Sequence, residues 1–333
     1  MKTKTRLIGL LLALITVCTA LAGCSGRGDG DPPVWTDDDE VVLTLGGYNV
    51  THDFYRYLFL NTKKFYDNGD ESYWLEEGND VEKIKNDVLD SLYETYGMFV
   101  LADRYNITLT EDDKEYIDNY IKESKAGMSN SEYKESLKAS YMTEDLYRFL
   151  LEIQLLENNV YYYITTEENG VLEVSDDMVL EAINSDFVRA THILFTYKDE
   201  ADKQVQHEKA EQVLAQLKAG EDFETLKEKH SADTALTNNK DGYYFTHGEF
   251  ANAFEDTAFA LEVGEISEIV QSNVGFHIVK RLPIEEKYVN EHFSELRTQY
   301  YTALYYKMVE EEYKQFTPKY KSDYKNIKLD TFN

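Results

Sequence analysis

An α+β fold is what the sequence predicts: a mostly helical N-terminal body completed by a C-terminal helix, with a module of strands and short helices inserted between them. Three observations lead there. Apolar residues recur at three- and four-residue spacing through much of 41–186, the period of helices with one buried face. Two strand-like runs, Arg189–Phe195 and Gly275–Pro283, enclose short helical patterns, and each run carries one histidine. From about Glu286 to Phe316 a last helical stretch places Val289, Phe293, Leu296, Tyr300 and Leu304 on one side. A single helix cannot bury such a face alone, so it is expected to pack back on the N-terminal helices.

The chain of 333 residues opens with Lys2, Lys4 and Arg6 ahead of an apolar run from Leu7 to Ala20. That run is short for a permanent span and fits a cleaved secretory signal over residues 1–23. It ends in Leu21-Ala22-Gly23-Cys24. Small residues before a cysteine at this place resemble the bacterial lipobox, which implies a lipid-anchored Cys24; an ordinary signal with a chance cysteine is the alternative. Cys18 and Cys24 are the only two cysteines, so the body after them has no disulfide, no thiol nucleophile and no cysteine metal site. Residues 24–40 are rich in Gly, Pro and Asp, the composition of an acidic flexible linker.

Within 41–186, Val41–Val50 reads as a hairpin around Gly46-Gly47. Thr51 caps a helix carrying Phe54, Tyr57, Leu58 and Phe65. Val81, Ile84, Val88, Leu92 and Tyr96 form the apolar face of a second helix. Thr110 with Asp113 resembles a capping box for a helix ending near Lys125. Ser131 and Thr143 begin two more, and Ser175 a last short one leading into the first histidine strand.

The formal net charge is −29. So acidic a surface repels nucleic acid and anionic lipid and argues against both as partners. Plain solvation and attraction of basic or unfolded clients are both compatible with it.

In residues 187–285, Thr191-His192-Ile193-Leu194 opens the module, Ser231-Ala232-Asp233 follows two short helical patterns, and Gly275-Phe276-His277-Ile278 closes it. This order resembles the parvulin family of peptidyl-prolyl cis-trans isomerases, with its H-[IL]-L strand, S-x-D segment and G-[FYI]-H-I strand. The resemblance covers about a third of the chain and implies a four-stranded antiparallel sheet with helices. The order of helical region, module and returning C-terminal segment (286–333) is similar to the PrsA-type foldase lipoproteins and SurA-type chaperones.

Carried over position by position, the resemblance implies that His192 and His277 sit side by side beneath the active site. It places Asp233 near the proline amide, Ser272 against the histidine pair, Phe250 in the proline pocket and Phe254 on its floor. Read from the residues alone, each has a plainer alternative. The histidines could simply tie two strands together, Asp233 could cap a turn, and Phe250 and Phe254, four apart, could be core. His52, His207, His230, His247 and His292 have no companions at metal-ligand spacing and are expected to be exposed. No cofactor or metal is implied.

Where the family commonly reads G-G-D-L-G-[WAK]-F, this chain has Asn239-Lys240-Asp241-Gly242-Tyr243-Tyr244-Phe245. A reshaped loop beside the pocket is therefore expected, since glycine licenses positive φ there. The loop Thr196–Gln204 lacks paired arginines, which speaks against phosphate-directed substrates.

The resulting expectation is a foldase on the extracytoplasmic face of the cell membrane, anchored through Cys24 and acting on unfolded exported polypeptides with X–Pro bonds. The alternative is a holdase chaperone whose module binds prolyl segments with little turnover. The sequence is compatible with a monomer or a homodimer.

Overall fold

The computed structural model describes residues 41–332 apart from 76–77, 167–168, 236–241, 251 and 273. The leader, Cys24, the linker over 24–40 and the loop residues Asn239–Asp241 lie outside the described residues. The chain divides into two compact units: residues 172–304 form one, and the other takes the residues up to 171 and resumes at Tyr305.

In the second of these, β1 (Val41–Leu45) and β2 (Tyr48–Thr51) pair antiparallel with Leu45 opposite Tyr48. Gly46 and Gly47 make the two-residue turn with φ of 60° and 98°, as a tight hairpin requires. The strand Lys319–Tyr320, which periodicity does not reveal, adds to the other side of β1. Thr51 starts α1 (His52–Asp67) by accepting the Phe54 N–H, and α2 (Val81–Tyr105) is capped by Asp80.

For α3 (Glu111–Ser124) the Thr110–Asp113 capping box is present. The cap of α4 (Asn130–Ala139) corrects the sequence reading. It is Ser129, not Ser131, because Glu132 stands three residues on and returns the bond to the Ser129 N–H. Thr143 caps α5 (Glu144–Thr165).

The other unit begins with α6 (Asp176–Ser185), capped by Ser175. It continues through β3 (Val188–Phe195), α7 (Glu200–Lys218), α8 (Phe223–His230), β4 (Tyr243–Phe245), α9 (Asn252–Ala260), β5 (Ile266–Ser272) and β6 (Gly275–Leu282). The strands form one antiparallel sheet in the order β4-β3-β6-β5.

Alternation along β3 and β6 sorts side chains onto two faces. Ile193, Phe195, Phe276 and Ile278 pack with Ala210, Val213 and Leu217 of α7 and with Phe223 and Leu226 of α8. Val188, Ala190 and Val279 pack with Phe254 and Ala258 of α9. Burying each large apolar side chain stabilises the layer by about 2 kcal/mol. The molecule is thus mixed helix and sheet, with the expected four-stranded antiparallel sheet.

The stretch expected as one helix over 286–316 is two, α10 (Glu286–Glu291) and α11 (Phe293–Tyr313). His292 leaves helical geometry at φ −117°. Its carbonyl accepts from Glu295 and Leu296 N–H groups, so it ends one helix and opens the next. Val289 and Leu296, with Phe293 and Tyr300 beside them, pack against Val179, Ile183, Phe187 and Tyr244.

Candidate active site

The site is built where β3 and β6 lie side by side. Leu194 pairs with His277 and His192 with Val279, so the two imidazoles project from neighbouring strands onto the face that α9 covers. Their rings lie 5.1 Å apart, with Nδ1 to Nδ1 at 3.0 Å. His192 and His277 are buried, at 7% and 3% exposure. Gly275 makes the approach possible: with φ 148°, an added Cβ would stand 2.3 Å from the Phe195 carbonyl oxygen, so any side chain there would push β6 off β3.

Asp233 is delivered by the segment after α8. Ala232 N–H donates to the Leu194 carbonyl at 2.7 Å, and Ser231 Oγ accepts from Leu194 N–H and Asp233 N–H at 3.1 and 3.3 Å. This docks the S-x-D segment on the end of β3 and sets Asp233 Oδ2 2.6 Å from His192 Nε2. At the opposite end of the row, Ser272 Oγ lies 2.6 Å from His277 Nε2 and accepts from Val274 N–H.

The apolar part stands over this row. Phe254, 2% exposed, has its ring 5.0 Å from His192 and 5.7 Å from His277. Phe250, half-buried, lies 5.3 Å from Phe254 and 4.8 Å from Phe245. All six residues singled out in the module, His192, Asp233, Phe250, Phe254, Ser272 and His277, therefore come together. Cys24 lies outside the described residues. A cavity of about 410 Å³, bounded by Lys203, Gln204 and His207 of α7 with Ile269, Gln271 and Phe276, is on the opposite face and shares none of them.

Residues 192–282 match the family model of the PPIC-type PPIase domain, or rotamase. The foldase protein PrsA of Caldanaerobacter subterraneus subsp. tengcongensis is 30% identical over 293 residues, covering 86% of this chain and 85% of the relative. The chain belongs to the PrsA foldase family. The PrsA of Geobacillus kaustophilus is 27% identical over 290 residues, covering 86% of this chain and 82% of its own. Among solved structures, the peptidyl-prolyl isomerase PrsA of Bacillus anthracis is similar at 23% identity, covering 67% of this chain and 96% of that one, with a TM-score of 0.33. By family the chain is a parvulin-type peptidyl-prolyl cis-trans isomerase.

The charges in this PrsA-family site follow from its partners. The hydrogen bond from His192, opposed by burial and reinforced by Tyr243 and the Ala235 N–H, holds the Asp233 carboxyl down at about 2. Burial and then the neighbouring His192 push His277 down to about 4, against a smaller opposing effect of Asp233. His277 is therefore neutral at neutral pH. An ionised Asp233 needs a donor, so His192 Nε2 carries a proton; in the tautomer whose Nδ1 is the acceptor, the row continues in one direction. His277 then donates from Nδ1 and accepts the Ser272 hydroxyl at Nε2.

Two side chains that the sequence reading gave no function belong to the site. Tyr243 O–H donates to Asp233 Oδ2 at 2.8 Å; burial, with the bond and charge of Asp233, raises its pKa and keeps it a donor. Glu255, 1% exposed, accepts from the N–H groups of Gly248, Glu249 and Phe250 at 2.7, 3.0 and 3.2 Å and so fixes the loop presenting Phe250. An acidic residue directly after the floor aromatic was the available signal for Glu255. Of the five histidines expected to be exposed, His52 and His247 are exposed while His207, His230 and His292 are half-buried. The rings of His207 and His292 pack on Phe276 and Tyr288.

Proposed function

We propose that the chain is a membrane-anchored foldase that speeds X–Pro isomerisation in unfolded exported polypeptides on the extracytoplasmic side, tethered through lipidated Cys24. The prolyl ring sits on Phe254 against Phe250, with Asp233 and the histidine pair beneath. The observation that carries this reading is the polar row Ser272–His277–His192–Asp233 lying directly under the two phenylalanines.

Rotation about the imide bond faces a barrier of about 20 kcal/mol because the twisted amide loses resonance. No bond to carbon breaks, so no nucleophile is required. A catalyst must favour the twisted amide over the planar one. The planar imide carries more negative charge on its carbonyl oxygen than the twisted one. An ionised Asp233 beside that oxygen therefore disfavours the ground state more, and low local polarity around Phe254 strengthens the effect.

The two imidazoles have a supporting part. His192 holds the carboxylate in place, and His277, kept neutral by burial, adds no cation to the row. The strongly acidic chain repels nucleic acid and favours basic or unfolded clients, and lipidation at Cys24 is supported by its position after a leader-like apolar run.

The test is turnover of short Ala-Xaa-Pro peptides by the full chain, beside its effect on the aggregation of a client without prolines. Asp233→Ala is expected to lower kcat/KM by roughly tenfold to a hundredfold while leaving the anti-aggregation effect intact. Absence of turnover in the unsubstituted chain, with full protection of the client, would replace this reading with the holdase.

A further inference from the structure

We propose that Tyr243 is a working member of the prolyl site: its hydroxyl positions Asp233 for the bound imide, and its ring extends the wall of the slot beside Phe250. The inference rests on the prolyl-isomerase reading of the same site and adds a residue to it.

Tyr243 opens β4, the edge strand beside β3, where it pairs with Ala190, two residues before His192. The preceding Gly242 has φ 81°, and a Cβ on it would stand 2.7 Å from the Ala190 carbonyl oxygen. The chain must therefore pass close to β3 at 242, and the next residue, Tyr243, brings its side chain to the site. In the parvulin-like pattern this place is held by glycine, which brings no side chain. Here a tyrosine, half-buried, stands with its ring perpendicular to that of His192 at 6.1 Å and lies 5.2 Å from the ring of Phe250.

Its hydroxyl shares Asp233 Oδ2 with His192 Nε2, at 2.8 and 2.6 Å, while Ala235 N–H takes Oδ1 at 2.9 Å. A carboxylate held by His192 and Ala235 alone can still swing about the line joining those donors. A third donor removes that freedom and supports its negative charge. Tyr243, Phe250 and Phe254 with His192 then make a slot with three aromatic sides and a polar base. The two functions belong to different atoms of one side chain, so they separate by substitution.

The experiment uses the full chain with Tyr243→Phe and Tyr243→Ala, and reads two quantities. The first is the titration of the Asp233 carboxyl carbon by NMR, which needs no turnover. Tyr243→Phe is expected to raise its midpoint by about one pH unit, and an unchanged midpoint overturns the hydroxyl's role. The second is the kinetics on prolyl peptides.

Tyr243→Phe is expected to lower kcat roughly 3- to 30-fold with KM within about twofold, as loss of one bond to a charged group implies. Tyr243→Ala is expected to raise KM about fivefold or more in addition. A KM unchanged in Tyr243→Ala overturns the wall. If the unsubstituted chain turns over no prolyl peptide, the isomerase reading fails, while the titration still decides whether Tyr243 holds Asp233.

Discussion

Asp233 sets the direction of a whole row of hydrogen bonds. Its carboxylate only accepts, so His192 Nε2 donates to it, and in the tautomer with His192 Nδ1 as acceptor the protons behind lie on His277 Nδ1 and Ser272 Oγ. Keeping His277 neutral links stability to pH. Its pKa is lowered from the ordinary 6.5 to about 4, so between those values the unfolded chain binds a proton that the native chain refuses. The contribution is fully present above about pH 6.5 and lost progressively as the pH falls to about 4, on the order of 3 kcal/mol in all. In urea unfolding of the module followed by intrinsic fluorescence, His277→Gln should flatten the fall in stability between pH 7 and pH 4.5, and an unchanged slope would contradict the assignment. His192, His277 and Asp233 were legible because they sit in three separated motifs in the right order. Tyr243 was not, because it stands where the pattern has glycine, and only the distance to Asp233 gives it meaning.

Elements were most legible where a cap and a periodic face agree. Thr51, Thr110, Thr143 and Ser175 each accept an N–H from the first turn of their helix. The helix over 286–316 was misread because its apolar spacing runs unbroken through His292. Periodicity alone does not register a residue whose carbonyl caps the following helix. Close helix approach was equally invisible. On Gly97 of α2, an added Cβ would stand 2.8 Å from the carbonyl oxygen of Val309 in α11 and 3.1 Å from its Cγ1. Alanine gains about 1 kcal/mol of helix propensity over glycine, but overpacking against backbone costs about 1–3 kcal/mol. Gly97→Ala should therefore lower the thermal unfolding midpoint measured by circular dichroism, and a raised midpoint would mean that α11 can move aside freely.

At the scale of the molecule, the boundary between units falls inside α11, between Leu304 and Tyr305, rather than at the loop after β6. The reason is packing. Val289 and Leu296 join Val179, Ile183 and Phe187 in one core, so α6, α10 and the start of α11 cluster with the sheet. Beyond the boundary Tyr305, 1% exposed, sets its ring against Tyr161 at 5.3 Å, and Glu312 pairs with Arg104 at 2.5 Å. Sequence periodicity identified the apolar face of this C-terminal stretch but not which partner each half would meet, since that depends on contacts distant along the chain.

The α+β class was legible because two strand-like runs interrupt a helical period, and the four-stranded sheet because the motifs around them resemble the parvulin family. The sheet also offers a second concave surface, the cavity beside His207 and Phe276 on the face away from the histidine pair. Which surface takes the proline ring is the most direct question to put to the molecule. Intermolecular nuclear Overhauser effects between an Ala-Xaa-Pro peptide and the full chain would answer it. The proline ring protons should show effects to Phe250, Phe254 and His192, whereas effects confined to His207 and Phe276 would contradict the account.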